Sequence, residues 1–125
     1  MRSNDLFKSV PDDYFKFGHG ADFKPKEVAN TLDFKREELS KIVNISVKSV
    51  RWDENIPYKL KERLEEIAST INTVANIFNG DINKTTTWFK TNNPMLGGVS
   101  PRDMIRFGKY EKLRKFIISS IEENN

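Results

Sequence analysis

Apolar residues recur at three- and four-residue steps through the middle of the chain, where Leu60, Leu64, Ile67, Ala68, Ile71, Val74, Ala75 and Phe78 form one stripe. That spacing predicts an amphipathic helix of about six turns, opened by Pro57 and ended by Gly80. Its other face, Lys59, Lys61, Glu62, Arg63, Glu65, Glu66, Ser69 and Asn72, reads as solvated surface. Upstream, Pro25 opens a helix carrying Val28, Ala29 and Leu32, and Asp33 is placed to cap or turn into the next. A second helix runs from about Lys35 to Val43 with Leu39, Ile42 and Val43 on one face. After the turn Asn44-Ile45-Ser46, Ser46 is placed to cap a third short helix through Trp52. Downstream, Asp81 caps a helix through Thr91, and a final helix from about Lys109 carries Tyr110, Leu113, Phe116, Ile117 and Ile121. Ile118 lies off that stripe as an exposed apolar residue. No strand pattern of useful length is present, so the expected fold is all-α.

Residues 1–23 lack either periodicity but contain Phe7, Tyr14, Phe15, Phe17 and Phe23. They read as an irregular arm whose rings dock on the body or on a second subunit. Residues 24–56 form a first helical lobe, and 57–125 the long helix followed by a second, smaller lobe.

The stretch Trp88 to Gly108 is densest in residues with fixed conformational meaning. Pro94 ends any helix carrying Trp88 and Phe89, and Gly97-Gly98 frees the backbone to turn. Ser100, Pro101 and Asp103 then form a cap, a first-turn proline and a capping box, and Gly108 supplies the stop. This reads as helix, apolar corner, short helix, with Trp88, Phe89, Met95, Leu96, Ile105 and Phe107 to pack the corner. On the residues alone, a purely structural corner and a partner-presenting one both fit.

The string W-F-x-x-x-N-P-x-L-G-G-x-S-P-x-D-M-I-x-x-G, present from Trp88 to Gly108, resembles the toxin-binding domain of the Xre/MbcA/ParS antitoxin family. Residues Glu38 to Trp52 are similar to an Xre-type helix-turn-helix, with Leu39, Ile42, Ile45 and Val50 at its core positions. Ser40 stands where that motif usually carries Ala, and Asn44 where it carries Gly. The resemblance implies a helix-turn-helix lobe joined by a long helix to a small toxin-binding lobe. It further implies an antitoxin of a type II pair that neutralises a RES-type, NAD-consuming toxin and represses its own operon, as a homodimer and in a higher-order complex with toxin.

On that basis the DNA-reading residues would be Ser46, Val47, Lys48, Ser49 and Arg51, with base and phosphate contacts from the N-terminal side of a recognition helix. The toxin contacts would come from Trp88, Pro94, Leu96, Gly97, Gly98, Ser100 and Pro101 at the corner. Lys112, Lys115, Ile118, Glu122, Glu123 and Asn125 on the last helix and tail would complete them. A three-helix packing unit without a DNA role, a regulator without a toxin, and a helical adaptor are the alternatives.

Charge refines this picture. The net charge of +3 is mild, but residues 100–116 carry Arg102, Arg106, Lys109, Lys112, Arg114 and Lys115 against Asp103 and Glu111, and the tail Glu122-Glu123 reverses the sign. Residues 44–52 hold Lys48 and Arg51 and no acid. These are two basic neighbourhoods suited to two partners, or ordinary solvated faces.

The chemical inventory argues against an enzyme. There is no cysteine and one histidine, His19, between two glycines, which leaves no nucleophilic triad and no histidine or thiolate metal set. Gly97-Gly98 lacks the Lys-Ser/Thr of a phosphate loop. The adjacent carboxylates Glu37-Glu38 and Glu65-Glu66 point apart on helices. No cofactor is implied, and absence of a long apolar run predicts a cytoplasmic protein with no membrane partner.

Overall fold

A computed structural model describes residues 11–123, which form helices α1 (Pro25–Thr31), α2 (Arg36–Val43), α3 (Tyr58–Ile77), α4 (Ile82–Lys90), α5 (Pro101–Arg106) and α6 (Tyr110–Glu123). Single 3-10 turns occur at Gly20–Asp22, Val47–Ser49 and Pro94–Leu96. Among these residues the only sheet-like pairing is a bridge between Asn93 and Val99. The chain is all-α.

The centre is α3. Leu60, Leu64, Ile67, Ile71 and Val74 are buried along its inner face, each worth about 1.5–3 kcal/mol relative to exposure. Pro57 precedes its first turn. At its end Asn79 and Gly80 both adopt positive φ, and Gly80 N–H donates to Ala75 O at 2.7 Å, closing the last carbonyls. The apolar stripe is therefore filled by the protein's own helices.

α1 packs on α3, α2 on α3 and α5, α4 on α3 and α5, and α5 on α6. Phe17, Leu32, Leu39 and Val50 belong to the same hydrophobic cluster as Phe89, Ile105, Leu113 and Ile117. The segments on either side of the long helix thus share a continuous core. Arg102 of α5 fastens them: its guanidinium donates to the carbonyls of Leu32 and Asp33, pairs with Glu38 at 3.0 Å and lies 4.9 Å over the Phe34 ring. Lys90 of α4 adds an ion pair to Asp33 at 2.5 Å, which holds the Asp33 carboxyl below the usual range. Asp33 itself, at φ +54°, makes the α1–α2 turn and caps nothing; the first turn of α2 is closed by Glu38, which accepts from the Lys35 amide at 2.9 Å.

The arm docks on the body, not through its rings alone. Phe17 is buried and stacks on Phe15, 5.4 Å between centroids. Asn72, expected on the solvated face of α3, is buried: it accepts from Phe15 N at 3.2 Å and donates to Asp13 Oδ1 at 3.1 Å. Asp13 also accepts from the amides of Phe17 and Gly18 at 3.0 and 2.8 Å. Tyr14 donates to Asn76 at 2.7 Å and its ring covers Gly80, where a Cβ would approach it to 2.9 Å. Phe7 lies outside the described residues, and His19 is exposed.

Candidate protein-binding surface

The corner is built as its residue types demand. Asp81 accepts from the Lys84 amide at 2.9 Å and starts α4, which ends with Phe89 fully buried and half-buried Trp88 edge-on to it at 5.1 Å. Asn93 then organises the turn. Its side chain accepts from Met95 N at 2.9 Å, its carbonyl from Gly98 N at 3.0 Å, and its own amide donates to Val99 O at 3.0 Å. Gly97 and Gly98 sit at φ +75° and +86° with open space where a Cβ would stand, so the backbone conformation and not close packing requires glycine. Ser100 accepts from the Asp103 amide at 3.0 Å and starts α5. The expected capping box is half formed: the Asp103 carboxylate pairs with Arg106 at 3.0 Å.

Two of the six apolar residues expected to pack the corner face solvent. Met95 is 76% and Phe107 52% exposed, while Phe89 and Ile105 are buried and Trp88 and Leu96 half-buried. Between the Met95 turn, α5 and α6 lies an open groove of about 570 Å³ whose walls include Met95, Leu96, Val99, Phe107 and Phe116. Its charged lining residues are Lys109 and Lys112. Arg106 lies 4.3 Å over the Phe107 ring. Phe116 also walls a second, smaller cavity of about 170 Å³ with Trp88, Ile77, Phe78 and Ser120, so the two apolar depressions adjoin. Exposed large apolar side chains clustered beside a groove are the usual mark of a contact surface.

Against this geometry the sequence-predicted toxin contacts divide. Trp88, Leu96, Gly97 and Lys112 line these depressions; Pro94 and Gly98 are exposed on the same turn. Ser100 and Pro101 are buried and act by capping and starting α5, so they present nothing outward. Lys115 is exposed on α6 but does not line the groove; Glu122 and Glu123 are exposed at the helix end, and Asn125 lies outside the described residues. Ile118 is half-buried, not exposed. Sequence reasoning took Met95 and Phe107 as corner packing and did not place Val99 or Lys109 among the contact residues. The available signal was length: a single 3-10 turn, Pro94–Leu96, has room to turn one large side chain inward, and Leu96 takes it.

The basic run of residues 100–116 is likewise divided. Arg102 and Arg106 turn inward to Glu38 and Asp103. The exposed lysines 109, 112 and 115 carry what remains outward-facing.

The other predicted site changes form. Residues 46–52 make no recognition helix; after the left-handed Asn44, at φ 55°, a single 3-10 turn Val47–Ser49 gives way to extended chain. The reason is Val50, which is fully buried from an extended backbone, at φ −75° and ψ 104°. Ser46 bonds Ser49 through their hydroxyls at 2.8 Å and caps no amide. Val47 and Lys48 are exposed and Ser49 half-buried, while Arg51 is held two-pronged by Asp53 at 2.6 and 2.9 Å. That hydrogen bond lowers the Asp53 pKa. Arg36 donates to Val47 O at 3.1 Å, fixing the turn to α2.

Among the described residues no group of acids and histidines is placed to hold a metal ion, and no helix is long and apolar enough to cross a membrane. No protein family, curated protein or solved structure matches the chain.

Proposed function

We propose that the protein is the antitoxin of a type II toxin-antitoxin pair and that its corner surface, from Trp88 to Phe116, binds the toxin. The observation that carries this reading is the pair of exposed apolar side chains, Met95 and Phe107, flanking a groove inside the same string that resembles the Xre/MbcA/ParS toxin-binding domain. A structural corner alone would bury them, since exposed apolar surface of this kind lowers solubility without adding stability. The toxin would be RES-type and NAD-consuming, covered by the antitoxin, with both proteins in the cytoplasm.

Repression of the operon is the second half of the proposal. Lys48 and Arg51 would approach DNA from a turn instead of a helix, with Arg51 released from an exposed ion pair to Asp53 that costs little to open. A homodimer would supply the paired half-site contacts.

The test is a growth assay in which the neighbouring reading frame is induced with and without this chain, with cellular NAD measured and the two proteins co-purified. Rescue with a stable complex supports the antitoxin reading. A neighbouring frame that is harmless, or a toxin that this chain neither rescues nor binds, overturns it. Mobility shifts with upstream DNA, using Lys48→Ala and Arg51→Ala, decide repression separately.

A further inference from the structure

The groove beside the corner has a property that its apolar walls alone do not explain. Met95 and Phe107, 76% and 52% exposed, line it together with Leu96, Val99 and Phe116. Its charged lining residues have one sign: Lys109 and Lys112. Of the neighbouring acids, neither lines the groove. Glu111 reaches Arg63 at 3.9 Å, and Asp103 is held by Arg106 at 3.0 Å and Arg102 at 3.6 Å. The two lysines therefore project over an apolar trough without a carboxylate of the groove to answer them, although the C-terminal half of the chain also carries the acids of its tail. A volume of about 570 Å³ is enough for two or three large side chains.

We infer that this groove docks an acidic segment of a protein partner, with large apolar side chains seated on Met95, Phe107 and Phe116 and carboxylates paired to Lys109 and Lys112. The inference rests on reading the corner as a protein-binding surface and adds the chemistry of what binds there. Charge complementarity selects the acidic character, and the apolar floor selects a peptide over a nucleic acid, whose phosphates would meet the lysines but leave Met95 and Phe107 uncovered. The ion pairs lie at an exposed rim, so they steer and select more than they hold, and binding weakens with added salt.

The experiment selects binders from a random peptide library against the purified full chain, then measures their affinity for the chain, for Lys109→Glu/Lys112→Glu and for Met95→Asp. Circular dichroism and thermal melts confirm that both variants fold; all three positions are exposed. The expected result is enrichment of peptides carrying Asp or Glu beside Trp, Phe or Leu, with affinity lowered about ten-fold or more in each variant. Selected peptides without acids, equal binding to the double lysine variant, or no enrichment at all would overturn the inference. So would random-sequence duplex DNA displacing the peptides through the same lysines, or self-association of the chain that Met95→Asp abolishes. The outcome separates from that of the antitoxin reading. A toxin complex indifferent to the lysine variant would sink the groove assignment alone, and acidic peptides bound by a chain whose neighbouring frame proves harmless would sink the antitoxin reading alone.

Discussion

Arg102 of α5 and Glu38 of α2 meet at 3.0 Å although 64 residues separate them, and both side chains are about four-fifths shielded from solvent. The same guanidinium donates to the Leu32 and Asp33 carbonyls. One side chain thus ties the corner region to the α1–α2 turn and makes the two expected lobes a common body. Arg102→Ala is expected to destabilise the fold by about 2–3 kcal/mol, because it leaves Glu38 and two carbonyls short of a donor. Arg102→Lys should recover only part, since an ammonium lacks the planar fork. Urea unfolding of the three proteins checks this; an Arg102→Ala loss within error of zero would mean the clamp contributes nothing.

Tyr110 is buried on α6, with its hydroxyl 2.8 Å from Thr70 Oγ1 and 3.1 Å from Glu66 O. Burial raises its pKa above the ordinary value. Its neutral form is therefore favoured by folding, a contribution fully present below the unfolded pKa of about 10 and lost as pH rises through the higher folded value. Tyr110→Phe should cost about 1 kcal/mol near neutrality and show a smaller alkaline decline than the parent. Denaturant unfolding at neutral pH and above pH 10 measures both.

Asp13 is opposed by burial, but hydrogen bonds from the Gly18 and Phe17 amides and Asn72 outweigh it and hold its pKa below the ordinary value. The stabilisation is present above the unfolded pKa of about 3.9 and lost as pH falls through the lower folded one. Asp13→Asn should loosen the arm at neutral pH by about 1–2 kcal/mol, since an amide presents one acceptor where the carboxylate presented two. Hydrogen exchange at the Phe17 and Gly18 amides reports it; unchanged protection in the variant would show that the arm is held by its aromatic rings alone.

What could be read from the sequence followed the residues that dictate local backbone. Pro25, Pro57, Asp81, Ser100 and Pro101 placed helix starts, Asn44 took the left-handed turn, and the α3 stripe gave the buried face. What could not be read was set by tertiary competition. Ser46 is a good cap and Val50 a plausible helix-core residue, but burying Val50 from extended chain satisfies the core without a helix. Asn72 looked solvated because its partner, Asp13, lies 59 residues away. Arg102 looked like part of an outward basic patch for the same reason. The α6 stripe, by contrast, was legible: Tyr110, Leu113 and Ile117 are buried as their spacing predicts.

At the corner, Gly98 has φ +86° and nothing near its missing Cβ. Gly98→Ala is expected to cost about 1 kcal/mol or slightly more from backbone strain alone, and Gly98→Asn less, because Asn tolerates left-handed backbone better. Thermal melts of the two variants decide; equal and negligible losses would mean the turn relaxes to a negative φ.

The exposed apolar pair separates structural from binding roles by stability alone. Met95 buries little of its surface and Phe107 about half, whereas Leu96, in the same groove wall, is half-buried and Phe89 wholly buried. Met95→Ser should therefore leave unfolding free energy within about 0.5 kcal/mol of the parent and Phe107→Ser should cost no more than about 1 kcal/mol, while Phe89→Ala should cost about 3–5 kcal/mol. An apolar side chain kept in water at little cost to stability is what the proposed partner contact requires. If either serine variant instead lost stability on the scale of Phe89→Ala, that residue would be packing in solution, and the surface reading of the corner would fail with it.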